Sequence, residues 1–219
     1  MYLSFQVALC VRRTIETSIS NINLLFYISI YLNNKNWNAL IIFDGVKKNI
    51  ELEDERLYFI EIEKSGIEDK KNNAGLVRNH GFEFIKNHHI DTSFISFVDD
   101  DDTIHPEFIN HLHHDLSLFP NIKCIIYRMM FPNFNVVPHP LSTKLQVKNV
   151  GISFVIHSSI ISDLNCSFIN HPYEDFLFLQ HLKKLNIPLL VSSFVNYFVK
   201  SNYITCSKNI KKYPCLILK

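Results

Sequence analysis

The sequence predicts an α/β layered fold with a central mixed, mostly parallel sheet flanked by helices. Three observations carry that prediction. Strand-like and helix-like segments alternate through the first half of the chain. The segment from Trp37 to Phe43 has the continuous apolar run expected of a strand buried on both faces of a parallel sheet. Irregular or antiparallel-looking pieces dominate the second half, so strand directions should be mixed.

Composition permits this. A chain of 219 residues, 47% apolar, can bury a sizeable core, and one domain spanning residues 1–219 is the expectation. Lys and Arg total 22 against 21 for Asp and Glu. A net charge of +1 gives no general attraction to nucleic acid or to an anionic membrane. The five cysteines are dispersed and form no Cys-x-x-Cys pair, which argues against a disulfide framework or zinc ribbon and fits a reducing, cytoplasmic setting. No basic leader opens the chain, and the apolar stretch Ile19–Leu32 is short and interrupted by Asn21 and Asn23. Neither a signal peptide nor a membrane span is expected.

Taken in order, residues 3–11 read as a first strand ended by Arg12, Arg13 and Thr14. Apolar residues at 15, 19, 22, 25 and 26 then follow a helical spacing. Asn33 to Asn36 break the pattern, and Trp37 to Phe43 form a second strand that ends in Asp44 and Gly45. A third strand covers Glu55 to Ile62, and a polar loop Lys64 to Asn73. From Ala74 a helix is predicted, with Leu76, Val77, Phe84 and Ile85 towards a core.

The next strand, Phe94 to Val98, runs into four carboxylates, Asp99 to Asp102, before Pro106 prevents simple continuation. Four adjacent carboxylates repel one another, so a cation is expected beside them, and a hard divalent ion such as Mg2+ or Mn2+ suits oxygen ligands. The competing reading is a solvated acidic turn. An EF-hand is excluded, since the sixth position from Asp99 is Ile104 and the twelfth is Asn110.

Beyond it lie a helix from Pro106 to Leu118 and a strand from Ile122 to Met130. Phe131 to Lys144 should be irregular, because Pro132, Pro138 and Pro140 interrupt it, and it is a candidate substrate-facing loop. A strand over Val150 to His157, a short helix over Ser158 to Leu164, a helix over Glu174 to Asn186 and a strand over Ile187 to Val199 complete the reading. His88, His89, His111, His113 and His114 read as surface residues rather than a zinc site.

Ligands of open α/β sheets bind beyond the carboxyl ends of the strands, where strand order reverses. Three such ends carry polar chemistry: Arg12 with Arg13, Asp44, and Asp99 to Asp102. Trp37 to Gly45 with its Asp-Gly end, Arg78-Asn79-His80-Gly81, Asp99 to Asp102 followed by Pro106, and Glu174-Asp175 occur in that order. Together they resemble the GT-A glycosyltransferases, especially the family 2-like inverting enzymes, over about residues 3–200.

The resemblance implies a Rossmann-like GT-A domain, with a nucleotide-binding half of about residues 1–105 and an acceptor-binding half of about 106–219. It implies transfer of a sugar, as by a hexosyltransferase, from a UDP- or GDP-sugar to a hydroxyl of a glycan or glycoprotein. Asp44 would accept from the nucleotide base, Val11 and Arg12 would border that base, and Arg78 would lie near the phosphates. Asp99 and Asp101 would form the Asp-x-Asp pair that holds Mn2+ or Mg2+, with Asp99 or Asp100 nearer the ribose. Asp175 would deprotonate the acceptor, with Glu174 its neighbour and rival. Val46 stands where the family has Ser, and Tyr203 to Cys206 follow the last strand in place of a ligating His. The small size also resembles glycosyltransferases of large DNA viruses, which would place the protein in the cytoplasm of an infected cell. Two other functions use the same acidic tip: a metal-dependent nucleotidyltransferase or phosphohydrolase, and a non-catalytic module docking a basic partner.

Overall fold

The computed structural model describes residues 7–13, for their backbone alone, together with 36–48, 53–65, 74–88, 90, 92–139, 142, 144–200, 206, 208, 210, 211 and 213–218. The helix expected after Thr14, and the residues Tyr203 to Thr205, lie outside the described residues.

Among the described residues ten strands form one sheet. They are β1 (Val7–Arg13), β2 (Trp37–Asp44), β3 (Leu57–Ile62), β4 (Phe94–Asp99), β5 (Thr103–Ile104), β6 (Cys124–Met130), β7 (Val136–Val137), β8 (Phe154–His157), β9 (Leu189–Phe198) and β10 (Leu216–Leu218). The helices among the described residues are α1 (Ala74–Asn87), α2 (Phe108–Leu118), α3 (Ser159–Ser162) and α4 (Glu174–Lys184).

The main path runs β10-β9-β6-β8-β4-β1-β2-β3. Neighbours from β4 to β3 are all parallel. β8 runs antiparallel to both β4 and β6, and β10 to β9, so the sheet is mixed. After β1 the chain adds β2 and β3 on one side and returns to add β4 on the other. The order therefore reverses between β1 and β4, with Arg12 level with Asp99. That is where a crevice for a ligand is expected.

Local chemistry explains the elements that build this end. β2 is buried along nearly its whole length, as its apolar run requires, and Trp37 is covered by the Arg56 guanidinium at 4.1 Å. Gly45 follows at φ +70, and a Cβ there would meet Lys64 Cβ at 2.5 Å; only glycine fits that turn. α1 buries Val77, Phe82 and Ile85. Leu76 and Phe84, expected in the core, are only half-buried, and Phe84 packs beside Tyr58 and His88 at the helix flank.

Several expected boundaries move. The strand expected from Val150 begins at Phe154, and the one from Ile122 at Cys124. The helix expected from Pro106 begins at Phe108, and the one expected to end at Asn186 stops at Lys184. The loop from Phe131 contains β7, paired with β6, because Val136 and Val137 lie between its prolines and are free to donate. His111 is not a free surface residue: its ring stacks on Phe194 at 3.9 Å and its Nδ1 meets Asn196 Oδ1 at 2.6 Å. His113 is likewise half-buried, whereas His88 and His114 are exposed; His89 is outside the described residues.

Candidate active site

β4 delivers the acidic turn and α4 the second pair of carboxylates, and one arginine joins them. Arg78 projects from α1 and is almost wholly buried. Its Nη2 donates to Asp99 Oδ1 at 3.0 Å. Its Nη1 donates to Glu174 Oε1 and to Asp175 Oδ1, each at 3.1 Å. A planar fork with five donors can serve several carboxylates at once, which a lysine could not. Arg78, expected beside the donor phosphates, is thus engaged with three carboxylates, one of them Asp99 at the tip of β4.

The three partners differ in access. The Glu174 side chain is 3% exposed, Asp175 21% and Asp99 35%. Burial pushes the Asp175 carboxyl up to about 7, against the pull of Arg78, with Glu174 and Asp99 adding to the rise. A carboxylate that takes and gives a proton near neutrality, with one side open, suits general-base work.

The four aspartates divide. Asp101 is 54% exposed and has Lys200 Nζ at 3.5 Å. Asp102 is buried and turned inward, where Oδ1 accepts the Lys200 backbone N–H at 2.9 Å. Burial raises Asp102 to about 7, with Asp99 and Asp101 contributing. Its role is to staple the turn to the end of β9, assisted by the buried Tyr197, whose hydroxyl accepts the Asp99 N–H at 3.1 Å. Asp100 is half-buried beside them.

Asp44 lies at the neighbouring strand end, buried, with Oδ1 accepting Ser65 N–H at 2.7 Å and Ser65 Oγ–H at 2.8 Å. Val11 and Arg12 are the third-last and second-last residues of β1; their backbones pair with Ile41 and Ile42 on one side and Val98 and Asp99 on the other. Their side chains are outside the description.

The implied divalent ion can be tested against these residues. Among the described residues no three His, Cys, Asp or Glu side chains converge as a metal-holding group. Asp99 and Asp101 supply hard oxygen donors only. Such a pair fits a Mg2+-like ion that draws its remaining ligands from phosphate and water, and does not fit a closed protein cage.

Sequence reasoning missed Tyr197, Lys200, Asn79 and Phe168 as supports of the site. Asn79 carried a signal, its place beside Arg78; the others carried none. A separate cavity of about 330 Å³ lies against the other flank of α4, lined in part by Asn165, Ile169, Leu177, His181 and Lys184. None of the expected site residues lines it.

No family model and no curated protein sequence matches the chain. Solved structures do. The crystal structure of S. aureus TarS residues 1–349 superposes with a TM-score of 0.66 at 15% identity, covering 94% of this chain and 63% of that one. The same fragment in complex with UDP-GlcNAc gives 0.64 at 15% identity, covering 89% and 58%. The chain has the TarS fold. The expected α/β layering around a central mixed sheet is shared with these structures, which is a likeness of fold. The chain spans less than two thirds of the TarS fragment and 38% of the longer TarS structure. These neighbours are bacterial, and lend the viral resemblance no support.

Among the described residues no helix is long and apolar enough to cross a membrane.

Proposed function

We propose that this protein is a glycosyltransferase that moves a sugar from a nucleotide diphosphate sugar to a hydroxyl of a glycan or glycoprotein acceptor, with inversion at the anomeric carbon. One observation carries the reading: Arg78 ties the acidic strand tip at Asp99 to Asp175 on a different element, at the point where the sheet order reverses. TarS has been crystallised with UDP-GlcNAc and with UDP, which supports a nucleotide-sugar donor for this fold.

In this reading the donor lies beyond the ends of β1, β2 and β4. Asp44, Val11 and Arg12 border the base, and Asp99 and Asp100 the ribose. Asp99 and Asp101 would hold Mn2+ or Mg2+, which when bound neutralises charge on a diphosphate. Asp175 takes the proton of the acceptor hydroxyl while the oxygen attacks the anomeric carbon, and the nucleotide diphosphate departs from the opposite face. One displacement inverts that carbon. Glu174 is too enclosed to meet an acceptor, and its contact with Arg78 at 3.1 Å holds it behind Asp175.

The test is a panel of nucleotide sugars, scored by binding and by product, with and without Mn2+. A glycoside product, with nucleotide affinity strengthened by Mn2+ in the intact protein but not in Asp101→Asn, is expected. Nucleotide release without a glycoside would favour a phosphohydrolase or nucleotidyltransferase, and no response to any nucleotide would favour a binding module.

A further inference from the structure

We infer that Asn79 is a positioning residue whose carboxamide fixes where Asp175 stands against Arg78; its consequence for catalysis rests on the reading of Asp175 as the base, whereas the clasp itself rests on geometry alone. Asn79 Nδ2 donates to the Phe168 carbonyl at 2.9 Å, and Asn79 Oδ1 accepts the Phe168 N–H at 2.8 Å. One side chain thus satisfies both backbone groups of one residue, 89 positions away, as a neighbouring strand would.

This clasp sits at the start of the segment that delivers the carboxylates. Phe168 is followed by Ile169 to Tyr173 and then by α4, whose first two residues are Glu174 and Asp175. α1 touches the segment at a second point. A Cβ on Gly75 would lie 2.9 Å from Phe168 Cβ, 3.2 Å from Ile169 O and 3.2 Å from Glu174 Cγ, so the helix backbone lies directly against the segment. Arg78 makes the third contact, through its bonds to Glu174 and Asp175.

The three contacts do different things. Charge attraction falls off slowly with distance and tolerates many carboxylate placements. Gly75 supplies closeness and no direction. Only the paired amide bonds, which need both distance and angle, fix the register of the segment along α1. Asn79 and Arg78 are adjacent on one helix, so whatever Asn79 fixes is fixed relative to the guanidinium.

The Phe168 ring is held separately. It stacks on Phe178 at 4.4 Å and on Phe82 at 5.7 Å, inside the core. Loss of the Asn79 amide therefore leaves the aromatic cluster in place and frees the backbone above it. The fold survives while the register loosens.

The experiment compares the intact protein, Asn79→Ala, and Phe84→Ala as a control that removes a half-buried α1 side chain on the flank facing Tyr58. Carbon-13 carboxyl resonances report the titration of Asp175, which is faced by Arg78 from α1, Asp99 from β4 and Glu174 on its own helix. Asn79→Ala should move the midpoint from near 7 towards the ordinary carboxylate range, because water gains access; Phe84→Ala should leave it unmoved. In transfer assays Asn79→Ala should lower kcat roughly 10- to 100-fold, as expected for a misplaced catalytic group. Donor KM should stay within about threefold, since donor binding is not altered. An unmoved Asp175 midpoint in Asn79→Ala, or an equal kcat loss in Phe84→Ala, overturns the inference. If the intact protein makes no glycoside from any donor, the glycosyltransferase reading falls, and the titration alone decides the clasp.

Discussion

Arg78 carries one positive charge and faces three carboxylates, so the cluster as a whole is anionic even where it is buried. Burial is the main reason that Asp175 holds its proton up to about 7, with Glu174 and Asp99 adding to the rise against the pull of Arg78, while its carboxylate partners drive Arg78 itself further into its charged form. A base that must be ionised to act then loses activity in acid. Below about pH 7, kcat/KM of the intact protein should fall tenfold per pH unit, reporting the free enzyme. Asp175→Asn keeps the shape and one acceptor oxygen for Arg78 but cannot take a proton. Its kcat should drop by roughly 10²- to 10⁴-fold. Nucleotide affinity should be retained, measured by calorimetry on the same preparation. A variant with the activity of the intact protein would remove Asp175 from the chemistry.

At the scale of elements, the site depends on how closely α1 approaches the start of α4. Gly75 lies in the first turn of α1, and alanine there would gain helix propensity worth up to about 1 kcal/mol. The added methyl would meet Phe168 Cβ at 2.9 Å, with Glu174 Cγ and Ile169 O each at 3.2 Å. Overpacking of that kind costs about 1–3 kcal/mol, so Gly75→Ala should be less stable by urea unfolding and should lose activity more steeply than stability. The same contact explains what could be read in the sequence. Asp99 is legible from the strand end it terminates, whereas Arg78 and Asp175 stand out only through the resemblance of their motifs to those of GT-A enzymes. The clasp from Asn79 to Phe168 and the staple from Asp102 to Lys200 were not legible. They join a side chain to a backbone 89 and 98 residues away, and such bonds leave no periodicity behind. β8 was misjudged in length for a related reason. Val150, Ile152 and Ser153 are buried, but regular ladder pairing with β4 and β6 is confined to Phe154–His157, and Ser153 meets β6 only through its bonds to Tyr127.

At the scale of the whole molecule, the parallel strands hold the acidic tip and the antiparallel strands hold it still, and His105 stands at their junction. Its N–H donates to Asn196 O on β9 at 3.0 Å, and its Nδ1 accepts the Glu107 N–H at 3.0 Å where α2 begins. Burial lowers its pKa to about 4, helped by His111, whose ring lies 4.7 Å away. The unfolded imidazole still binds a proton near 6.5. Between about pH 4 and 6.5 the unfolded chain therefore holds the extra proton, and this group's contribution to stability is present above 6.5 and lost as pH falls towards 4. Asp175 acts in the opposite sense. Its folded form keeps a proton up to about 7 that the unfolded carboxyl releases near 3.8, so its contribution is present in acid and lost as pH rises. The two slopes oppose each other over the same window, which flattens the stability of the intact protein there. His105→Gln removes one of them. Relative to the intact protein, the variant should gain up to roughly 2 kcal/mol between pH 6.5 and pH 4.5, read as converging urea midpoints. A gap that stays constant with pH would mean that His105 titrates in the folded protein as it does in the unfolded chain, and that β9 and α2 do not shield it from water.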